Sequence, residues 1–169
     1  MRNIVYVALT TLTMLTSCNN PTTIDIEKWD RLVKKYDLLK FPNLPQPILL
    51  TVDAFFDGNN DVGSIAPNLD RKPELSEYHK ILKQISDNPK VVGGFVEIKE
   101  VMIYENGVLN DNEWFYTDIV YFIGDITKEE IRDATKALMP DNVDYEKEGR
   151  LVNLDKSFEG KNVVYVWWD

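Results

Sequence analysis

The stretch VVGGFVEIKEVMIYENGVLNDNEWFYTDIVYFI, Val91 to Ile123, decides the fold. Val91 to Tyr104 reads as a long strand with a bend at Gly93-Gly94. Glu105-Asn106-Gly107 has the composition of a turn. Trp114 to Ile123 alternates as a strand does, which makes it the antiparallel partner of the first run. An antiparallel pair therefore stands in the middle of the chain.

The flanks complete the pattern. Upstream, Pro73 opens a helix whose apolar stripe is Leu75, Tyr78, Leu82 and Ile85, and Asn88-Pro89 closes it. Before that, Ile48 to Phe55 begins apolar and β-branched, as a buried strand running into a polar loop. Downstream, Thr127-Lys128-Glu129-Glu130 matches a capping box ahead of a helix over Ile131 to Met139. Val163 to Trp168, VVYVWW, is a strand apolar on both faces, hence central or doubly covered. The order β-α-β-β-α-β predicts a ferredoxin-like α+β fold, a four-stranded antiparallel sheet with two helices on one face. Another α+β sandwich is compatible with the same elements. An extra N-terminal helix, Ile26 to Leu39, carries Ile26, Trp29, Leu32, Val33 and Tyr36 on one stripe. It would cover the sheet's open face or one end, and the prolines Pro42, Pro45 and Pro47 follow it as a stiff linker.

The N-terminus, MRNIVYVALTTLTMLTSC, has an export layout: Arg2 is the positive start and Ile4 to Leu15 a short apolar run. That run is short for a bilayer span, which favours a cleaved signal. It ends in Leu15-Thr16-Ser17-Cys18, which resembles the lipobox of bacterial lipoproteins. The resemblance implies residues 1–17 as signal peptide, Cys18 as the acylated residue, 18–24 as a tether, and 25–169 as a single domain. Cys18 is the only cysteine, so no internal disulfide is available. Several acyl chains on one residue give lasting attachment, at about 0.8 kcal/mol per buried methylene. Asn19-Asn20 after the cysteine, where an Asp would resemble an inner-membrane retention signal, implies the outer membrane and a periplasm-facing domain.

Cleavage leaves 152 of the 169 residues, enough for one domain with a core. Losing the single positive charge of Arg2 takes the formal charge from −9 to −10. That charge argues against nucleic acid, whose phosphates would be repelled, and is compatible with a basic protein partner.

The polar loop is FFDGNNDVGSIAPNL, Phe55 to Leu69. Asp57, Asn59 and Asp61 alternate as in the start of a calcium loop, D-x-[DN]-x-[DN]-G. The pattern then departs: Val62 stands where the glycine belongs, Asn68 where the bidentate Glu belongs, and a strand precedes in place of a helix. Side-chain turns by Asp and Asn, with glycines at positive φ, are the favoured reading. Asp53, Asp57 and Asp61 form a carboxylate group, yet an acid and a base need environments that push their pKa values apart. His79, the only histidine, falls on the exposed side of its helix as a solvated residue. A Ser64, His79, Asp61 triple can be written, but neither its spacing nor any metal-hydrolase or phosphate motif supports catalysis.

The loop also carries a resemblance. F-F-D-G-N-N-D-V-G-S-I with Asn68-Leu69, then Pro73, Tyr78, Leu82, Ile85, Asn88-Pro89, then W-F-Y-T-D-I-V-Y from Trp114 to Tyr121 and L-M-P-D from Leu138 to Asp141, is similar to a group of small bacterial proteins. The likeness covers about residues 50–145. That group is loosely associated with immunity proteins of bacterial toxin systems, and the likeness implies no catalytic residues. In physical terms Ser64, Asn68 and Thr117-Asp118 would hydrogen-bond loop backbone into a polar platform. Phe55, Phe56, Ile65 and Trp114 would anchor it from beneath.

These readings converge on an envelope lipoprotein that binds another protein and performs no chemistry: an immunity protein occluding a toxin that acts in the periplasm. Candidate contacts are Asp57, Asn59 and Asp61 in the loop, and Asp141, Asp144, Glu146 and Glu148 in a later acidic segment. No cofactor or metal is implied. A calcium- or small-ligand-binding lipoprotein is the alternative, and an envelope hydrolase the least favoured one.

Overall fold

The computed structural model describes residues 24–41, 43–44, 47–101, 113–147, 149, 151 and 155–169. Cys18, Glu148 and the turn at Glu105-Asn106-Gly107 lie outside the described residues.

The central pair forms as the sequence predicts. Strand β2 (Val91–Ile98) runs antiparallel to β3 (Ile119–Gly124), with Phe95 opposite Tyr121 and Val96 opposite Val120. A register shift between Val91 and Gly93 marks the expected irregularity near the glycines. Both strands are shorter than predicted. Thr117 explains the late start of β3: its hydroxyl donates to the Ile119 carbonyl and accepts the Ile119 N–H. Such a local turn competes with the strand ladder.

Three further strands complete a five-stranded antiparallel sheet in the order β1-β2-β3-β5-β4. These are β1 (Ile48–Thr51), β4 (Asn142–Tyr145) and β5 (Asn162–Trp167). The class is α+β, but the strand order is not the simple ferredoxin arrangement. There the first and last strands would be neighbours; here β1 is an edge strand that pairs with β2 alone. The strand predicted over Ile48 to Phe55 stops at Thr51, because the Thr51 hydroxyl accepts the Ala54 N–H and caps a one-turn helix, α2 (Val52–Phe56). Val52, Phe55 and Phe56 are its buried side, a spacing that suits a helix.

The first helix, α1 (Ile26–Tyr36), is capped by Asp25, which accepts the Lys28 N–H. It buries Trp29 and Val33, and Trp29 stacks on Phe115 at 5.2 Å between ring centroids. Phe115 lies ahead of β3, so α1 packs on the approach to that strand and adds Trp29 and Val33 to the main core. Helix α3 (Leu75–Ser86) buries Tyr78, Leu82 and Ile85, as its stripe predicts. Helix α4 (Lys128–Thr135) has both halves of its capping box: Thr127 Oγ1 accepts the Glu130 N–H and Glu130 accepts the Thr127 N–H.

One sheet face holds the core. Leu50, Val96, Val120, Val166 and Val143 form a row across all five strands, each at most 3% exposed. Burying side chains of this kind stabilises by about 1.5–3 kcal/mol apiece. Helix α3 approaches so closely that a Cβ at Gly94 would overlap the Ser86 hydroxyl. On the opposite face Ile119, Tyr121 and Ile123 are buried outside this main cluster, with Phe95, Tyr165 and Trp167 half-buried among them. Phe158 packs edge-on against Phe95 at 5.8 Å. Strand β5 therefore has apolar side chains on both faces and a paired strand on either side.

Candidate functional site

The loop after α2 closes on itself. Asn59 is 5% exposed; its amide donates to Ser64 Oγ at 2.9 Å and its carbonyl accepts the Asp61 N–H at 2.9 Å. Asp61 Oδ1 accepts the Gly63 N–H at 2.7 Å, and Oδ2 accepts the Trp114 N–H at 3.0 Å. Thr117 then donates its N–H to the Ser64 carbonyl and accepts that of Ala66. Phe55, Phe56, Ile65 and Trp114 are buried beneath, as predicted. Hydrogen bonds to a charged group contribute about 1.5–3 kcal/mol each, so Asp61 is a principal stitch between this loop and the approach to β3.

The three alternating side chains thus take separate partners. Asp57 is exposed and pairs with Lys28 Nζ at 2.5 Å, a bond that raises the lysine pKa. Asn59 spends its polar atoms on the loop and Asp61 divides its own between the loop and Trp114, which leaves them little to offer a ligand or partner. Among the described residues, no group of three or more His, Cys, Asp or Glu is placed to hold a metal ion.

His79 is partnered as well as partly exposed. Its Nε2 lies 3.3 Å from Asp53 Oδ1, and its ring stacks on Phe56 at 4.9 Å. Lys83 binds the other Asp53 oxygen at 3.1 Å. Lys83 first and His79 second hold the Asp53 carboxyl below its ordinary range. Ser64, Asp61 and His79 each bond elsewhere, so the structure does not assemble them into a nucleophilic triple. The Asp53–His79–Lys83 group instead ties α2 to α3.

The acidic segment after α4 is the strand that sequence reasoning missed. Asp141 is exposed and accepts the Asp169 N–H at 2.8 Å. Asp144 accepts from Lys128 Nζ at 2.7 Å and from the Tyr145 N–H at 2.8 Å. Those two bonds, the lysine's foremost, lower its pKa. Arg132 donates to the Val143 carbonyl at 2.8 Å. Helix α4 and Asp144 thereby occupy polar groups of an edge strand, a common protection against unwanted strand pairing. Glu146 is half-buried and donates its N–H to the Val163 carbonyl.

Asp144 and Glu146, but not Asp141, border a cavity of about 480 Å³ on the sheet face away from the main core. Ile119 forms part of its lining; Tyr165 and Trp167 of β5 and Asn142, Asp144 and Glu146 from the edge complete most of the rest. Asn142 Nδ2 donates to the Tyr165 hydroxyl at 2.8 Å. Lys147 also lines the cavity and Asp144 is already bonded to Lys128, so it is the half-buried Tyr165 and Trp167 that suit an apolar, cationic or hydrogen-bonding side chain from a partner. Of the predicted contacts, Asp144 and Glu146 meet at this cavity, while Asp57, Asn59 and Asp61 belong to the loop. Tyr165 and Trp167 were not anticipated as contacts; their i, i+2 spacing in VVYVWW was the available signal, since it puts both on one face.

Among the described residues, no helix is long and apolar enough to cross a membrane. The family model described as "Uncharacterized protein YfbO family" matches residues 27–166, and the chain belongs to that family. No curated protein and no solved structure matches it.

Proposed function

We propose that this YfbO-family chain is an outer-membrane lipoprotein that faces the periplasm and acts by binding a protein. In this reading Cys18 carries the acyl chains, and the domain is an immunity protein that blocks a toxin delivered to the envelope. The observation that carries the binding half is the β4–β5 cavity, where Tyr165 and Trp167 stand beside Asp144 and Glu146. Interfaces concentrate their energy in such aromatic anchors, with charge around them steering the partner. The acidic chain favours a basic partner. Occlusion needs no catalytic group, and the loop that most resembled a reactive site spends its polar atoms on structural bonds within itself and to Trp114 and Lys28.

Deleting the gene should sensitise cells to the toxin encoded beside it, and restoring the wild-type chain should restore protection. Undiminished protection in the deletion strain overturns the immunity role. The cavity volume favours one second reading, a small-ligand lipoprotein, since it lies in the range of ligand pockets. A small molecule at 100 times its dissociation constant would add about 2.7 kcal/mol of stability, readable as a thermal shift.

A further inference from the structure

The fold fixes its own N-terminal entry. Ile24 is 6% exposed and part of the core. The Asp25 N–H donates to the Gly58 carbonyl at 2.9 Å, and Lys28 pairs with both Asp25 and Asp57. Backbone and side-chain bonds thus hold the start of the domain against the loop at Gly58.

Only residues 19–23 separate Ile24 from Cys18. At most ~3.6 Å per residue, that leash reaches roughly 22 Å. A domain of this size has a radius of gyration of about 15 Å, so it is roughly 38 Å across. The leash is shorter than the body it holds.

We propose that the first turn of α1 and the loop from Asp57 to Ser64 form the bilayer-facing end of the domain, in contact with the phospholipid surface. This rests on acylation of Cys18. Two of the exposed large apolar side chains, Ile26 and Val62, lie on these segments at 42% and 40% exposure. Each is within four residues of the Asp25–Gly58 bond, where an interface can take them up. Three of the four acidic groups here are occupied, and the fourth, Glu27 in the first turn of α1, is exposed. Asp25 and Asp57 share Lys28, and Asp61 serves the loop backbone, which moderates repulsion from anionic headgroups.

The orientation bears on the partner. Strand β1, which leads into this loop through α2, and β4, which borders the cavity, are the two edges of the sheet. Four strand spacings of ~4.8 Å put those edges roughly 19 Å apart. With Ile26 and Val62 at the interface, the β4 edge at Lys147 on the cavity rim stands farther from the bilayer than the loop, and Asp57 is withdrawn from a soluble partner.

The test uses the full-length acylated protein in vesicles of phosphatidylethanolamine and phosphatidylglycerol. A fluorophore is placed through Val62→Cys or, separately, through Lys147→Cys at the exposed rim of the cavity, and quenched by nitroxide-headgroup lipid. Quenching should be several-fold stronger at position 62, and inserting about 20 Gly/Ser residues after Asn20 should erase the difference. Equal quenching at the two positions, in protein that co-floats with the vesicles, overturns the orientation and leaves the anchor standing. Protein that fails to co-float overturns both.

Discussion

Asp61 Oδ2 accepts the backbone N–H of Trp114 at 3.0 Å, a bond that spans 53 residues of chain. Its other oxygen holds Gly63 in the same loop. One carboxylate therefore joins the loop to the segment that leads into the central strand. Asp61→Ala should lower stability by about 2–4 kcal/mol, because two backbone donors lose a charged acceptor. Asp61→Asn, which keeps one acceptor oxygen, should lose less. Urea unfolding of the three proteins measures the ranking. Equal stability of wild type and the alanine variant would contradict the stitching role.

Gly58 takes φ of +87°, and a Cβ there would sit 2.7 Å from Asp25 Cβ and 2.8 Å from Lys28 Cδ. Gly58→Ala should cost about 1–3 kcal/mol through the left-handed backbone and the crowding together. The loss should appear as a lower unfolding midpoint with the denaturant slope unchanged.

Gly94 faces Ser86, and a methyl group at position 94 would overlap its hydroxyl. Gly94→Ala should destabilise by about 1–3 kcal/mol, the usual range for overpacking. Ser86→Ala should recover part of that loss, since the two sites share one contact and their effects are coupled. A strictly additive double mutant would place the strain elsewhere.

The α4 cap makes stability depend on acid. Thr127→Ala should cost about 1 kcal/mol. The Lys90 ammonium, then the Thr127 N–H and hydroxyl, hold the Glu130 carboxyl down at about 2, against an ordinary 4.5. A carboxyl lowered on folding stabilises above its unfolded value and loses that contribution as the pH falls through the folded one. The advantage of wild type over Glu130→Gln should therefore be full above pH 4.5 and shrink toward pH 2. Denaturant midpoints across that window measure it.

Neighbouring tryptophans should separate binding from folding. Trp167 is half-buried at the cavity, while Trp168 is 1% exposed and donates its indole N–H to the Leu138 carbonyl. Trp167→Ala should keep the fold and weaken partner binding by about 30-fold or more, as loss of an anchor worth about 2 kcal/mol does. Trp168→Ala should unfold more readily, by about 3–5 kcal/mol. Unaltered partner binding by the first variant would move the contact surface away from the cavity.

Local signals in the sequence account for much of this structure. Thr127 and Glu130 make the capping box that their spacing announces, and Tyr78, Leu82 and Ile85 are buried where a helical stripe puts them. The β2–β3 pairing follows from two β-rich runs about a turn. Other features depend on contacts that no short window contains. Residues 52–56 look like a continuing strand until Thr51 is seen capping a helix. Strand β4 has one buried side chain, Val143, among Asn142, Asp144 and Tyr145, so its pattern resembles an acidic loop. The strand order rests on the register of β1 and β5 with their neighbours, which alternation alone does not specify. Asp57, Asn59 and Asp61 illustrate a further limit: ligand-like residue types were legible, but their use by Lys28, Ser64 and Trp114 was not.

Intact-mass spectrometry of the protein purified from native membranes bears most directly on the claim that an acyl anchor moors this domain outside the cytoplasm. The predicted result is a chain starting at Cys18 with a diacylglyceryl thioether and an acylated amine. A chain retaining Met1, or one whose Cys18 carries no fatty acid, would contradict the account.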